Sequence, residues 1–311
     1  MDLTLIKERT MRPQAEPLHA AVAAAANGNP DAQAQVCGAM VWSSFSAPGA
    51  ITAVFDIISA GKLQQSCPEL AIDAPEAPLP DTFWDAFAAT IEGPEEGYNA
   101  TSITVAVAKL GGAVNPTFGV LAEAAASTHP GARGAATKAV PSMISLDELA
   151  SQPDDSLARA LYSMLVDNGF DAEVLDREAI GLQQLPPAMR YLNTRILQMH
   201  DIWHLTAGYA TTSLHEMAIS AFQLAQFGHN YSAMFLSTVC TMSHLKQPLG
   251  FTLLLQNMAE AWQHGREQPA FMDIHWEDEW HMDIASVRAK HDINAFNGSF
   301  PADLLEQLSP S

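Results

Sequence analysis

Helical periodicity is the feature that most limits how this chain can fold. Apolar residues recur at spacings of three and four along much of the sequence, whereas the strict alternation that marks a half-buried strand is almost absent. The periodic segments are 34–46, 155–168, 186–208, 213–228, 231–245 and 248–264. The sequence therefore predicts an all-α protein.

Helix-ending and helix-starting residues separate these segments. Gly208, Gly228 and Gly265 are expected to end three of them. Pro248 is expected to be a further stop, and the run QPDDS at 152–156 offers Asp or Ser side chains that can cap a helix start. Because the connections in the C-terminal half are short, we expect consecutive helices to pack as antiparallel hairpins in a multi-helix bundle.

The amino-acid composition of the sequence changes near its middle. Residues 1–140 are rich in Ala, Gly and Pro and include two acidic stretches, CPELAIDAPEAPLPD at 67–81 and EGPEEGYN at 92–99. We expect this part to be a divergent helical N-terminal region. It would be followed by a helical, metal-binding core domain at 141–295 and a C-terminal tail at 296–311.

The charge and the cysteine content exclude several classes of protein. Acidic residues outnumber basic ones by 35 to 15, and the formal charge of −20 opposes nucleic-acid phosphates and anionic lipid headgroups. We expect no nucleic-acid partner, and any membrane contact should be mainly hydrophobic or use a local basic patch. The three cysteines are far apart and indicate no disulfide framework, which favours a reducing cytosol. We identify no export signal and no run of the about 18 to 20 apolar residues that span a bilayer.

One short segment, QMHDIWHLTAGYATTSLHEM at 198–217, concentrates histidine and carboxylate side chains among apolar neighbours. On a helix that advances by about 100° per residue, His200 and His204 lie one turn apart and Asp201 lies to one side of them. All three can converge on one point. Imidazole nitrogen and carboxylate oxygen are common ligands of zinc and iron.

Glu216 can join this group only if the chain reverses, because on a continuous helix it would lie about 18 Å beyond His204. Gly208 can end the first helix in a left-handed conformation, and the Thr-Thr-Ser run at 211–213 can start the next one. The second helix would then carry Glu216 back toward the histidines in its first turn.

Each of these residues also has a structural explanation. Ser213 and Glu216 match a helix capping box, and either histidine alone could be a satisfied structural side chain. Two spaced histidines with two carboxylates are harder to explain by packing, because buried ionisable groups without partners are costly. We therefore interpret four residues as ligands of a divalent metal, zinc or iron: His200, Asp201, His204 and Glu216.

The neighbouring His215 is a rival ligand, but it points about 100° away from Glu216 on the same helix. The pair HE at 215–216 does not continue into the H-E-x-x-H pattern of zinc proteases, because position 219 is Ile. In HDIWH the acid is Asp201, which is shorter than the glutamate that activates water in those enzymes. A metal-dependent hydrolase with Asp201 as the base stays a weaker alternative.

The spacing of the motif resembles a known signature. H-D-x-x-H, then eleven residues, then Glu, as found at 200–216, is similar to the signature of the coenzyme Q (ubiquinone) biosynthesis protein 4 family. Two flanking segments also resemble that family: QPDDSLARALYSMLVDNGFDAEVL at 152–175, and AWQHGREQPAFMDIHWEDEW at 261–280 followed by Arg288. The resemblance spans about 150–295 and does not reach the N-terminal region.

The resemblance implies an all-helical ubiquinone biosynthesis protein that acts on a polyprenylated hydroxybenzoate intermediate in or near a membrane. It implies removal of the ring carboxylate with hydroxylation of the same ring carbon, an oxidative decarboxylation. The alternative is a non-catalytic, prenyl-lipid-binding scaffold that organises the other ubiquinone enzymes. We expect a polyprenylated quinone precursor as partner, together with other enzymes of the pathway and a second copy of this chain. The expected location is cytoplasmic and peripheral to the inner membrane.

The same resemblance suggests roles for individual residues. Catalysis is expected at the four metal ligands, with Asp201 either as a fourth ligand or as an outer acceptor that orients a histidine. Substrate contacts are expected from four further residues: Arg195, Met217, Phe222 and Phe251. The alternatives are that the apolar stripe belongs to the core and that Arg195 is a solvated helix charge.

Overall fold

A computed structural model describes residues 2–167, 169, 177–178 and 180–308. Within these residues the chain is helical and contains no strand, which confirms the predicted all-α class. The last residue of the predicted helix at 155–168 and the end of the segment at 152–175 lie outside the described residues, as do the last three residues of the predicted tail.

The helices follow one another along the chain with short connections in the C-terminal half. They are α1 (Thr4–Arg9), α2 (Ala15–Ala26), α3 (Pro30–Phe45), α4 (Ile51–Lys62), α5 (Asp81–Glu92), α6 (Ala100–Leu110), α7 (Phe118–Thr128), α8 (Leu146–Ala150), α9 (Leu157–Asp167), α10 (Pro187–Ala207), α11 (Ser213–Phe227), α12 (Asn230–Lys246), α13 (Pro248–Glu267), α14 (Ile284–His291) and α15 (Leu304–Leu308). Short 3-10 helices occur at Pro48–Ala50, Pro130–Ala132, Ala135–Thr137, Leu182–Gln184, Phe271–Asp273 and Trp276–Glu279. The six periodic segments of the sequence correspond to α3 and to α9 through α13.

Helices α11, α12 and α13 form the centre of the fold, and α11 and α13 make the most extensive helix pair. The N-terminal helices α2, α3 and α4 pack against one another, while α3 contacts α12 and α4 contacts α13. Buried side chains from both halves of the chain belong to one continuous hydrophobic core. The division of the chain at residue 140 stays a prediction. Among the described helices, none has the length and apolar character needed to cross a bilayer.

The predicted helix boundaries are confirmed at four positions. Gly208 and Gly228 follow the ends of α10 and α11 in left-handed conformations, with φ of 80° and 63°. Helix α12 ends at Lys246, just before Pro248, and the proline is also the first residue of α13, where its missing N–H has no helical partner to lose. Ser156 caps α9, because its hydroxyl oxygen accepts the N–H of Arg159 at 3.2 Å.

Gly265 does not end a helix, contrary to the prediction, because α13 continues through it to Glu267. A Cβ atom at this position would lie 2.8 Å from both the Ala225 Cβ and the Phe222 carbonyl oxygen. The glycine therefore allows the close approach of α13 to α11. A rule based on local sequence assigned the residue to a helix end, whereas its role lies in tertiary packing.

Helix α10, which carries three of the candidate ligands, is held at both ends by charged side chains from other helices. At its start, the Glu123 carboxylate of α7 accepts the N–H groups of Ala188 at 2.9 Å and Met189 at 3.0 Å. At its end, Arg288 of α14 donates to the carbonyl oxygens of residues 205–206 at 2.9 and 2.7 Å. These charges satisfy free end groups and complement the helix dipole. They fix the position of α10 along its axis.

The Glu123→Ala variant is expected to lower the free energy of unfolding by about 1 kcal/mol, the usual cost of losing a helix cap. Pro186, which precedes α10, provides no side-chain cap that could replace the carboxylate. Urea unfolding followed by circular dichroism measures the difference. The matched control is Glu95→Ala, at an exposed glutamate between α5 and α6, which should change stability by less than about 0.5 kcal/mol. Equal losses in the two variants would contradict the capping role.

Candidate metal centre

Two consecutive helices supply the candidate ligands. Three of them lie on α10, and Glu216 lies in the first turn of α11. Gly208 reverses the chain between the helices, and a Cβ atom there would lie 2.8 Å from the Ala295 Cβ. The turn therefore uses glycine both for its left-handed backbone and for the close crossing of the C-terminal segment.

The structure places each of the two predicted carboxylate ligands near the two predicted histidine ligands. The Nε2 atoms of His200 and His204 are 3.0 Å apart, and each lies 3.3 Å from one carboxylate oxygen of Glu216. One carboxylate oxygen of Asp201 and one nitrogen of each histidine also lie within 4.8 Å of one another. This arrangement could hold a metal ion. The role of each residue as a ligand stays a prediction.

Glu216 does not act as a capping residue with Ser213. Helix α11 has Thr212 at its N-cap position and no side-chain cap from its own N-terminal residues. Instead, Glu306 of α15 accepts the N–H of Ser213 at 2.8 Å, and the Thr212 hydroxyl donates to the Ala302 carbonyl at 2.6 Å. The C-terminal segment thus holds the start of α11, and the Glu216 carboxylate is left to face the histidines.

The hydrogen bonds of His204 decide which of its nitrogens carries a hydrogen. Its Nδ1 lies 3.0 Å from the carbonyl oxygen of Tyr209, which can only accept. Nδ1 therefore donates, and Nε2 of the neutral ring presents a lone pair to His200 and Glu216. Electron-rich atoms packed this closely require a proton or a cation between them.

The pKa values in the cluster reflect this concentration of negative charge. Burial acts to raise the pKa of Glu216, but hydrogen bonds and positive charge from His200 and His204 in their protonated forms outweigh it and lower that pKa well below its usual range. Burial acts to lower the pKa of His200, yet the hydrogen bond and charge of Glu216, with the charge of Asp201, raise it. The cluster is suited to hold a positive charge, whether a proton or a metal ion.

The spacing of the donor atoms fits a transition metal. Ligand atoms about 2 Å from a tetrahedral zinc ion lie about 3.3 Å apart, and adjacent ligands of an octahedral iron ion lie about 3.0 Å apart. The observed separations of 3.0 and 3.3 Å match both geometries. Two imidazoles and a carboxylate also suit both ions, so zinc and iron stay equivalent candidates.

One side of the cluster is open to solvent. The His204 side chain is 1% exposed, whereas those of His200 and Glu216 are 29% and 37% exposed. Structural zinc sites are closed by four protein ligands, while catalytic sites leave a position for water or substrate. The open side is the property expected of a site that admits a substrate.

The four residues expected to contact substrate are buried within the fold. Phe222 and Phe251 are fully buried, Met217 is almost so, and all three belong to the hydrophobic core. Arg195 is also buried, and its guanidinium pairs with both carboxylate oxygens of Glu277, so it is not a solvated helix charge. A substrate role for these residues stays a prediction.

Sequence reasoning missed two groups that contact the histidines. The amide of Gln223 lies 2.6 Å from His200 Nδ1, on the side opposite Glu216. Glu216 and Gln223 are seven residues apart, which places them on one helix face two turns from each other, so the spacing contains the signal. The Tyr209 carbonyl could not be found in this way, because any residue carries one. His215 lies outside the cluster, and its Nδ1 accepts the N–H of Ala210 at 2.9 Å.

Comparison with known proteins identifies the family. The model of the family described as coenzyme Q (ubiquinone) biosynthesis protein Coq4 matches residues 133–297, just over half of the chain, including all four candidate ligands. The chain belongs to the Coq4 family. Proteins of Drosophila ananassae and Drosophila pseudoobscura pseudoobscura named "Ubiquinone biosynthesis protein COQ4 homolog, mitochondrial" are 26% and 24% identical to it over 163 residues. The matched region is 50% of this chain and 57% of each relative, so the chain spans just over half the length of these curated Coq4 proteins.

A solved structure shares the fold. The crystal structure of a candidate ubiquinone biosynthesis protein from Nostoc punctiforme PCC 73102 superposes with a TM-score of 0.51 at 21% sequence identity. The superposition covers 69% of this chain and 98% of that chain. Because the Coq4 match covers little more than half of the chain, the structural likeness extends beyond it.

We expect the purified protein to bind a divalent metal, and the His204→Ala variant to lose more than about 100-fold in affinity. Loss of an outer partner alone costs 10- to 100-fold, so loss of a direct ligand should cost more. Titration with zinc followed by calorimetry measures the affinity. The control is His281→Ala, at an exposed histidine outside the cluster, which should bind zinc like the wild type. Unchanged affinity in His204→Ala would contradict the assignment.

Proposed function

We propose that this Coq4 family protein performs a metal-dependent oxidative decarboxylation in ubiquinone biosynthesis. The substrate would be a polyprenylated hydroxybenzoate whose ring carboxylate is replaced by a hydroxyl group. The reaction releases carbon dioxide and needs an oxidant, for which we propose molecular oxygen: one oxygen atom would enter the ring hydroxyl, and a two-electron donor with two protons would convert the other to water. Family membership supports the pathway, and the solvent-open cluster of His200, His204 and Glu216 is the observation that carries the chemistry.

The geometry suggests a distinct role for each side chain. His200, His204 and Glu216 would hold the metal, with Asp201 as a fourth ligand or as an acceptor behind a histidine. The bound metal would stabilise negative charge on the phenolate or carboxylate of the ring as the carbon–carbon bond breaks. The substrate would approach past His200 and Glu216, whose side chains are partly exposed. His204, held by the Tyr209 carbonyl, would form the closed wall behind it.

The prenyl tail determines where such a protein would work. A polyprenylated ring stays in the bilayer, so we place the protein at the surface of the inner membrane, on the cytoplasmic side. There it would contact its quinone precursor and other enzymes of ubiquinone biosynthesis. The overall acidity of the chain implies that any membrane contact is hydrophobic or locally basic.

Cells that depend on the His204→Ala variant are expected to accumulate the carboxylated prenyl intermediate. Quinone output should fall at least about tenfold, because metal stabilisation of a transition state is worth several kcal/mol and each 1.36 kcal/mol changes a rate tenfold. Lipid extracts analysed by mass spectrometry measure both compounds, and circular dichroism checks the helical content of the variant. His281→Ala serves as the control.

Two results would separate the competing functions. Normal quinone output from a folded His204→Ala protein that has lost its metal would exclude the catalytic function and favour the scaffold. If this variant does not fold, Glu216→Gln replaces it, because the Glu216 side chain is partly exposed and the substitution keeps its size. The catalytic function predicts the same accumulated intermediate for both variants.

A further inference from the structure

A chain of buried and partly buried hydrogen bonds reaches His200 from the side opposite the cluster. It begins on α10, where Asn193 Nδ2 donates to the Met189 carbonyl oxygen at 2.7 Å. Asn193 Oδ1 lies 3.1 Å from His229 Nε2, and His229 Nδ1 lies 2.8 Å from the Ser232 hydroxyl. His229 and Ser232 are both buried, at the start of α12.

The chain continues from α12 to α11 and back to α10. Ser232 Oγ lies 3.5 Å from Gln223 Oε1, and Gln223 Nε2 lies 2.6 Å from His200 Nδ1. Gln223 is buried, so its amide has these neighbours in place of water. A buried amide must direct its donor and its acceptor to groups that can use them.

The direction of each hydrogen bond in the first half of this chain is fixed. The Met189 carbonyl can only accept, so Asn193 directs its amide nitrogen there and its oxygen to His229. His229 Nε2 therefore carries a hydrogen. Burial, with a smaller contribution from His200, lowers the pKa of His229 to about 3, so its ring is neutral and Nδ1 must accept from Ser232. The single hydroxyl hydrogen of Ser232 is then used.

This assignment decides what Ser232 can accept. With its hydrogen directed to His229, the Ser232 oxygen can only accept, and the neighbouring end of the Gln223 amide must be a donor. A half-turn of the amide exchanges its nitrogen and oxygen with little change in position. The nitrogen then faces Ser232, and the oxygen faces His200 Nδ1.

We propose that Gln223 adopts this exchanged orientation and is the positioning residue of His200, accepting the Nδ1 hydrogen so that the Nε2 lone pair faces the metal. The inference rests on the proposed metal site. In the opposite orientation the glutamine nitrogen would donate to Nδ1 and leave a hydrogen on His200 Nε2. That hydrogen would point at His204 and Glu216, where a metal ligand needs a lone pair.

With this orientation, each of the two histidines donates its Nδ1 hydrogen to a carbonyl oxygen. His204 gives its Nδ1 hydrogen to the Tyr209 carbonyl, and His200 gives its own to the Gln223 carbonyl. An acceptor behind each ring fixes the tautomer and the ring orientation and makes the ligand more basic. Because the acceptor behind His200 is a side chain, substitution can test it.

The Gln223→Met variant removes the acceptor and keeps the length of the side chain. Its affinity for cobalt is expected to fall about 10- to 100-fold, with a changed visible absorption spectrum of the bound cobalt. The matched control is Gln226→Met, a buried glutamine on the same helix that bonds Gly265 and Phe271 instead of His200. This control should keep the cobalt affinity and spectrum of the wild type.

Different results test the role of Gln223 and the metal site on which that role depends. A wild-type protein that binds neither cobalt nor zinc would overturn the metal site itself. If the wild type binds cobalt and Gln223→Met matches it in affinity and spectrum, only the role of Gln223 is overturned. Nitrogen NMR of the zinc-loaded wild type reads the tautomer without any variant at 223. We expect the His200 hydrogen on Nδ1, and a hydrogen on Nε2 would refute the inference even if Gln223→Met does not fold.

Discussion

Crowding of electron-rich atoms is the constraint on which the candidate site depends. The His204 lone pair, His200 Nε2 and the Glu216 carboxylate lie 3.0 to 3.3 Å from one another, and without a shared positive charge they would repel. A site of this kind is maintained only if the surrounding fold limits how far the side chains can separate. The contacts around α10 and the start of α11 supply that limit.

These contacts come from parts of the chain that lie far from the motif. Glu123 at one end of α10 and Arg288 at the other fix the position of the helix along its axis, and with it the position of the two histidines. Glu306 holds the first turn of α11, and Phe296 stacks on Tyr209 with ring centroids 4.6 Å apart. Glu123 lies outside the segment matched by the Coq4 model, so a residue beyond that segment supports the part of the chain that the family shares.

Much of this arrangement could be predicted from the sequence. Periodicity gave the helices, the i, i+4 spacing placed His200 beside His204, and Gly208 indicated the reversal that brings Glu216 to them. Rules based on local sequence could not decide between two roles of a residue when tertiary contacts determine which role it has. Gly265 matched a helix end but serves a helix crossing, because the nearby backbone of α11 leaves no room for a Cβ atom.

Other features of the site depend on contacts between distant residues and could not be predicted from the sequence. Ser213 and Glu216 match a capping box, and only the presence of Glu306 beside Ser213 shows that the cap is provided from elsewhere. Gln223 shares a helix face with Glu216, but its link to His229 through Ser232 passes between two helices and has no periodicity. The core positions of Phe222 and Phe251 likewise follow from packing, since an apolar stripe has the same pattern whether it lines a groove or fills a core.

The distant contacts of the two ligand-bearing helices also determine when the site can form during protein synthesis. Arg288 follows its partner Thr206 by 82 residues, and Glu306 follows Ser213 by 93. A growing chain folds from its N-terminus as it emerges from the ribosome. Until Arg288 emerges, the complete H-D-x-x-H motif lies on a helix that Glu123 can hold at its start but that has no partner yet at its end. Nascent chains that stop before Arg288 would contain every candidate ligand, yet would lack the geometry that turns those residues into a site.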